Sequence, residues 1–148
     1  MTETSRSVRG GCMCGNVRFE AKGNPIWIGI CHCASCRRAT GGALVAACGY
    51  SRDAVSIAGE SLRHFVSSPG VRRGFCAGCG TSLSYENQRW PSDIHLMLGA
   101  FDEPDRLVPE FHIFAADRLP WLRLVDTLPR YRTTPSAGER ISGDAALL

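Results

Sequence analysis

The eight cysteines constrain this chain more than any other feature of its 148 residues. A count this high predicts disulfides in a secreted protein, but metal ligands or reactive thiols in a reducing compartment. Seven of the eight fall into three clusters, and their spacing therefore decides between these readings. The clusters are Gly11-Cys12-Met13-Cys14-Gly15 (first), Cys31-His32-Cys33-Ala34-Ser35-Cys36-Arg37 (second) and Cys76-Ala77-Gly78-Cys79-Gly80 (third).

The spacing argues against disulfides. Bridges between Cys12 and Cys14, or between Cys31 and Cys33, would be strained because a single residue separates each pair. The segment from Met1 to Val8 is polar and lacks the apolar core of a signal peptide, which favours a cytoplasmic protein. We therefore expect the clusters to bind metal, with zinc as the ion that thiolates favour.

The third cluster has the spacing of a zinc knuckle. Its two thiolates can face one ion if the chain turns tightly between them, and Gly78 and Gly80 allow the positive φ angles that such turns use. Backbone N–H groups in the turn can then point at the sulfurs. A knuckle supplies two of the four ligands of tetrahedral zinc, so a second pair must come from elsewhere.

Cys12 and Cys14 are the preferred second pair, because side chains at i and i+2 share one face of an extended segment. Four thiolates make a closed structural site. The second cluster then keeps three thiolates, which leave one position open, as in a catalytic zinc site. The alternative pairs the knuckle with two of the second cluster's cysteines and leaves the first cluster idle.

Short alternating or apolar segments predict a mainly β fold, and turn signals recur along the chain. Gly59-Glu60 predicts a hairpin between two of these strands. The helical signal is one or two turns over Ala34 to Thr40, ended by Gly41-Gly42. We expect a flexible N-terminus (1–9), one domain (10–132) and a disordered tail (133–148). Strands are predicted at 17–21, 26–30, 43–48, 55–57, 62–66, 73–76, 82–85, 94–98 and 111–114.

Charge and hydropathy exclude two classes of partner. The formal net charge is +3 with every cysteine neutral, and it falls to zero if seven thiolates hold two Zn²⁺ ions. Basic residues occur only in scattered pairs, so we expect no nucleic-acid partner. Apolar runs fall short of the roughly 20 residues that span a bilayer, so we expect no membrane partner.

Together the clusters resemble the pattern of the glutathione-dependent formaldehyde-activating enzyme (GFA) family, with its centromere protein V-like relatives. The pattern reads G-x-C-x-C-G, then C-H-C-x-x-C-R, then C-x-x-C-G. The segment from Pro109 to Phe114, followed by Pro120-Trp121, is similar to the family's C-terminal pattern. The resemblance runs from about Gly11 to Leu122.

The resemblance implies a mainly β fold of Mss4-like type and two zinc ions per chain. It places a structural zinc on Cys12, Cys14, Cys76 and Cys79, and a catalytic zinc on Cys31, Cys33 and Cys36. It also implies carbon–sulfur lyase-type chemistry, such as joining formaldehyde to glutathione. The small-molecule partners would then be a thiol and an aldehyde.

Several other residues have two readings. Arg37 and Arg38 are candidates to bind a substrate carboxylate, or are a solvated surface pair. His32 points away from the face that its neighbouring cysteines share, which favours a supporting role over ligation. His95 and His112 lie in apolar strands and are interpreted as structural histidines, with acid–base roles as the alternative.

Two rival functions stay open at this stage. A non-catalytic, zinc-stabilised binding module of Mss4-like fold is the first, since fold alone does not fix function. Such a module has no need of three cysteines that leave a vacancy. The second is the same chemistry on a different thiol or aldehyde, which the sequence does not separate from glutathione and formaldehyde.

Overall fold

The structure is a computed structural model that describes residues 6–141. This part of the chain is mainly β, as predicted, with one short α-helix and several single 3-10 turns. The helix α1 spans Ala34–Thr40. The strands are β1 Ser7–Gly11, β2 Arg18–Lys22, β3 Trp27–Cys31, β4 Val45–Ser51, β5 Val55–Ala58, β6 Leu62–Ser68, β7 Val71–Cys76, β8 Ser82–Asn87, β9 Asp93–Met97 and β10 Phe111–Ile113.

The chain divides into two compact units, which are described separately. The first comprises Met1–Trp27 and Cys48–Leu107, and the second comprises Ile28–Ala47 and Val108–Leu148. Residues 1–5 and 142–148, including the last seven residues of the predicted tail, lie outside the described part. No helix between residues 6 and 141 is long and apolar enough to cross a membrane.

In the first unit, β1, β2 and β5 form an antiparallel sheet with β2 in the centre. Strands β6 to β9 follow one another as antiparallel neighbours. Alternating burial along β2 places Phe19 in the core, where its ring meets Phe101 edge-on with centroids 4.9 Å apart. Leu83, Ile94 and Leu96 are fully buried in the same unit.

The predicted hairpin across Gly59-Glu60 is wrong. Strand β5 pairs with β2, whereas β6 pairs with β7. Gly59 packs so closely on the preceding loop that a Cβ atom there would lie 2.1 Å from the carbonyl oxygen of Asn16. The chain therefore leaves one sheet at this glycine and enters the other, instead of turning back.

In the second unit, β10 lies parallel to β3, with Ile113 opposite Cys31. The ring of Phe111 covers Gly29, where a Cβ atom would lie 2.6 Å from it. Helix α1 has the predicted bounds and ends at Gly41, whose φ of +74° lets its N–H donate to the carbonyl of Arg37. Residues 133–141 contain a 3-10 turn at Pro135–Ala137 and a bridge between Tyr131 and Arg140.

Candidate metal centres

The first unit brings four cysteines together, here called the four-cysteine site. Their Sγ atoms all lie within 4.8 Å of one another. Tetrahedral zinc with Zn–S bonds of about 2.3 Å requires sulfurs about 3.8 Å apart. The sulfur of Cys14 lies 3.5 Å from that of Cys12 and 3.7 Å from that of Cys76. The members are Cys12, Cys14, Cys76 and Cys79.

Two tight loops place these ligands. The loop from β1 to β2 is closed by a hydrogen bond from the N–H of Cys12 to the carbonyl of Val17. The loop from β7 to β8 is closed by a bond from the N–H of Gly80 to the carbonyl of Cys76, with Gly80 at a φ of +80°. Gly78 does not adopt the positive φ that the sequence predicts. It packs near the sulfurs instead, since a Cβ atom there would lie 3.6 Å from the sulfur of Cys76.

Hydrogen bonds support ionised sulfurs in this site. The Thr81 hydroxyl, 3.2 Å from the Cys79 sulfur, together with backbone N–H groups, lowers the pKa of Cys79 to about 5. Burial raises the pKa of Cys12, but the N–H of Val17 and the sulfurs of Cys14 and Cys76 outweigh it, so that the net shift is downward. The N–H of Asn16 lowers the pKa of Cys14, but the neighbouring sulfurs outweigh it and raise this pKa to about 11.

The second unit gathers Cys31, Cys33 and Cys36, here called the three-cysteine site, with their Sγ atoms within 4.8 Å of one another. Cys31 is buried at the end of β3, while Cys33 and Cys36 are half-buried. Cys33 caps α1, and its sulfur accepts a hydrogen bond of 3.2 Å from the N–H of Cys36. Within residues 6–141, no histidine, aspartate or glutamate joins either group as a further ligand.

Crowding of the three sulfurs opposes their ionisation. The hydrogen bonds with Cys33 and Cys36, followed by burial, raise the pKa of Cys31 far above its ordinary value. The hydrogen bond with Cys31 lowers the pKa of Cys33, but Cys36 and burial outweigh it and the net shift is upward. A divalent cation removes this like-charge penalty, because it stabilises the thiolate form of each ligand.

The donor chemistry of both groups therefore fits zinc. Thiolates are soft ligands that favour zinc, and the two sulfur separations given above for the four-cysteine site match tetrahedral coordination. All eight cysteines are free thiols, and the measured sulfur separations far exceed a disulfide bond of about 2.05 Å. Both clusters can hold a metal ion.

The eighth cysteine, Cys48, belongs to neither site. It is fully buried in β4, and its thiol donates to the carbonyl of Leu96 at 3.8 Å. Burial raises its pKa to about 12, which keeps it protonated and inert.

A line of hydrogen-bonded polar side chains begins at His32 in the three-cysteine site, and all of its members except Asp126 are buried. Nε2 of His32 is 2.9 Å from Nδ1 of His112, and Nε2 of His112 is 3.0 Å from Oδ2 of Asp126. Arg130 donates to the other oxygen of Asp126 at 3.0 Å. Burial raises the pKa of Asp126, but hydrogen bonds from His112, the N–H of Leu128 and Arg130 give a net downward shift. The sequence reading found the two histidines but not Asp126 or Arg130.

Arg37 and Arg38 differ in their surroundings. Nη1 of Arg37 donates to the backbone carbonyls of His32 and Asp117, at 2.5 Å each. This nitrogen is therefore engaged with the protein backbone. Arg38 is exposed on α1.

The structure groups the cysteines as in the preferred partition, with the knuckle beside the first cluster and the second cluster by itself.

Comparisons with known proteins identify the family of the chain. The family model "Glutathione-dependent formaldehyde-activating enzyme" (GFA) matches residues 7–117. A crystal structure of a Rhodobacter sphaeroides protein, solved as a structural genomics target, is similar with a TM-score of 0.54 and 20% identity over 64% of this chain and 87% of that one. At that identity the likeness concerns the fold alone. No curated protein matches this chain. Because the family model covers residues 7–117 of 148, the chain belongs to the GFA family.

Proposed function

We propose that the chain is a zinc-dependent carbon–sulfur lyase-type enzyme that joins a small aldehyde to a thiol at the three-cysteine site. The observation that carries the proposal is the convergence of three thiols, two of them half-buried, where tetrahedral zinc would need a fourth ligand. Membership of the GFA family supports formaldehyde and glutathione as the first substrates to test.

The proposal divides the work between the two clusters. The four-cysteine site ties the β1–β2 loop to the β7–β8 loop and takes a structural zinc. Cys31, Cys33 and Cys36 take the second zinc and leave one position to substrate. Zinc bound there supplies a soft Lewis acid that favours a thiolate over a thiol and polarises a carbonyl oxygen.

The protein itself contributes by positioning the two substrates. Holding thiol and aldehyde side by side converts a bimolecular reaction into an effectively unimolecular one. Arg38 is exposed on α1, two residues after Cys36, and is proposed to contact a carboxylate of the thiol substrate. Arg37 is a weaker substrate contact, since its Nη1 atom already serves two backbone carbonyls. A cytoplasmic location, where thiols stay reduced, suits this chemistry.

The proposal is tested by following S-hydroxymethylglutathione formation by NMR exchange spectroscopy with formaldehyde and glutathione. We expect the protein to accelerate exchange, Cys36→Ser to abolish the acceleration, and Cys48→Ala to keep it. Cys48 is the matched control because it is a cysteine of the chain outside both clusters. Acceleration that survives in Cys36→Ser would rule out the three-cysteine site as the reaction centre.

If the wild-type protein accelerates no combination in a panel of thiols and aldehydes, the alternative of a non-catalytic, zinc-stabilised binding module gains ground. If it accelerates only combinations without glutathione, the reaction class stands and the substrate assignment fails. Arg38→Gln tests the carboxylate contact, because we expect it to raise KM for glutathione and leave KM for a thiol without a carboxylate unchanged.

A further inference from the structure

His32 lies between two cysteines of the three-cysteine site, and both its backbone N–H and its backbone carbonyl are hydrogen-bonded. Its N–H donates to the carbonyl of Ile113 at 3.1 Å, and its carbonyl accepts from Arg37 Nη1 at 2.5 Å. Its ring, 1% exposed, stacks on that of His112 with centroids 5.1 Å apart. These contacts fix the backbone of His32, and with it the backbone of the neighbouring Cys31 and Cys33.

The hydrogen bonds beyond His112 have a definite direction. A carboxylate only accepts, so Nε2 of His112 carries the proton that bonds Asp126. Arg130 offsets the charge of that carboxylate at its other oxygen, and we assign the neutral form to the buried ring of His112. Its Nδ1 is then an acceptor, and His32 must donate from Nε2.

We infer that His112 and Asp126 are positioning residues of the three-cysteine site, acting through His32. None of the three is a metal ligand. Asp126 orients His112, His112 orients the ring of His32, and His32 sets the spacing of the sulfurs of Cys31 and Cys33. The inference rests on the proposed use of this site for metal, but not on the identity of the substrates.

Such supporting hydrogen bonds have measurable effects on metal sites. Partners that orient the groups around a metal typically change its affinity about 10- to 100-fold when they are removed. The effect is local, because the four-cysteine site is built from loops of the other unit. The four-cysteine site of the same molecule therefore serves as an internal reference.

The test is Asp126→Asn, which keeps the shape of the side chain but offers one acceptor atom where the carboxylate offers two. Its matched control is Glu139→Gln, because Glu139 also pairs with an arginine, Arg132, and its side chain is 60% exposed against 30% for Asp126. Zinc is withdrawn from each purified protein by a chromophoric chelator. The release step of the three-cysteine site is assigned with Cys33→Ser. Imidazole ¹⁵N spectra, simple for a chain with four histidines, report the tautomers.

We expect Asp126→Asn to weaken zinc at the three-cysteine site about tenfold and leave the four-cysteine site unchanged. We also expect the wild-type His32 and His112 to carry their protons on Nε2, and this pattern to change in the variant. Glu139→Gln should change neither quantity. An affinity at the three-cysteine site within twofold of wild type, equal weakening of both sites, or no zinc there in the wild type would overturn the inference. Normal affinities without turnover would instead count against the proposed enzyme.

Discussion

The surroundings of single side chains set their charge states in two different ways. Thr81 stabilises a thiolate by hydrogen bonding, and its hydroxyl also accepts the N–H of Met13 at 3.1 Å. His95 is instead enclosed by aromatic rings, with Trp27 edge-on at 4.7 Å and Tyr85 stacked at 5.1 Å between centroids. The first arrangement favours an ion, and the second excludes one.

Replacing Thr81 by valine should impair the four-cysteine site. The variant keeps the shape of the side chain but loses the hydroxyl, so the pKa of Cys79 should rise from about 5 towards its ordinary value. We expect zinc affinity at this site to fall about tenfold, and Thr81→Ser to restore it. The measurement is zinc retention against a chelator across a pH series. Equal retention by Thr81→Val and wild type would show that the hydroxyl is not needed.

His95 should make stability depend on pH. Burial lowers its pKa to about 4, against about 6.5 in the unfolded chain. Between these values the unfolded state binds the extra proton, so the free energy of unfolding falls as the pH is lowered from 6.5 to 4. His95 should lower the free energy of unfolding by about 2 to 3 kcal/mol over this pH range.

His95→Phe should flatten this part of the stability profile, measured by urea unfolding between pH 4 and 6.5. His64→Gln is the comparison: partial burial lowers the pKa of His64 too, but His64 lies on the exposed strand β6, so we expect this variant to flatten the profile less. A profile for His95→Phe that parallels wild type would show that another group causes the dependence.

At the scale of elements, each metal centre is made by a particular loop or helix end. Two hairpin loops meet at the four-cysteine site, whereas the end of β3 and the first turn of α1 make the three-cysteine site. The two constructions differ in the pKa of their sulfurs. In the four-cysteine site Cys79 and Cys12 have lowered pKa values and Cys14 a raised one, whereas in the three-cysteine site Cys31 and Cys33 both have raised ones.

This difference predicts the order of zinc release on acidification. Zinc binds thiolates, so protons compete more strongly where the sulfur pKa is higher. As the pH falls, the three-cysteine site should release its zinc first, and the four-cysteine site at a lower pH. The measurement is zinc release in a pH titration, with Cys33→Ser to assign the first step. Release in the reverse order would mean that the sulfur pKa values do not govern the two affinities.

Local sequence signals were sufficient for some elements and not for others. Helix α1 was predicted with its observed bounds, because Gly41 ends it through a purely local αL cap. Strand β1 was missed, since Ser7–Gly11 has two glycines and is defined by pairing with β2. The hairpin at Gly59 failed because the close contact with Asn16 cannot be read from neighbouring residues.

The same limit applies to the sites. Cysteine spacing led to both clusters, because two ligands of each lie within three residues of each other. The partners of His32 are different, since His112 is 80 residues away along the chain. Asp126 follows in an irregular segment that carries no motif. Thr81 was missed because a hydroxyl beside a knuckle is an ordinary surface residue until its distance to Cys79 is known.

At the scale of the molecule, the two units carry different sites. One carries the four-cysteine site, proposed to hold a structural zinc, and the other carries the three-cysteine site, proposed for chemistry. The prediction specific to this scale is that loss of the three-cysteine site should leave the four-cysteine site and the fold intact.

The most direct test is elemental analysis of zinc per chain in protein purified without added metal or chelator. We predict two zinc ions in the wild type and in Cys48→Ala, and one in Cys33→Ser, with far-UV circular dichroism unchanged. One zinc ion in the wild type and in Cys33→Ser alike would contradict the account, because the second cluster would then hold no metal and the proposed enzyme would lose its reaction centre.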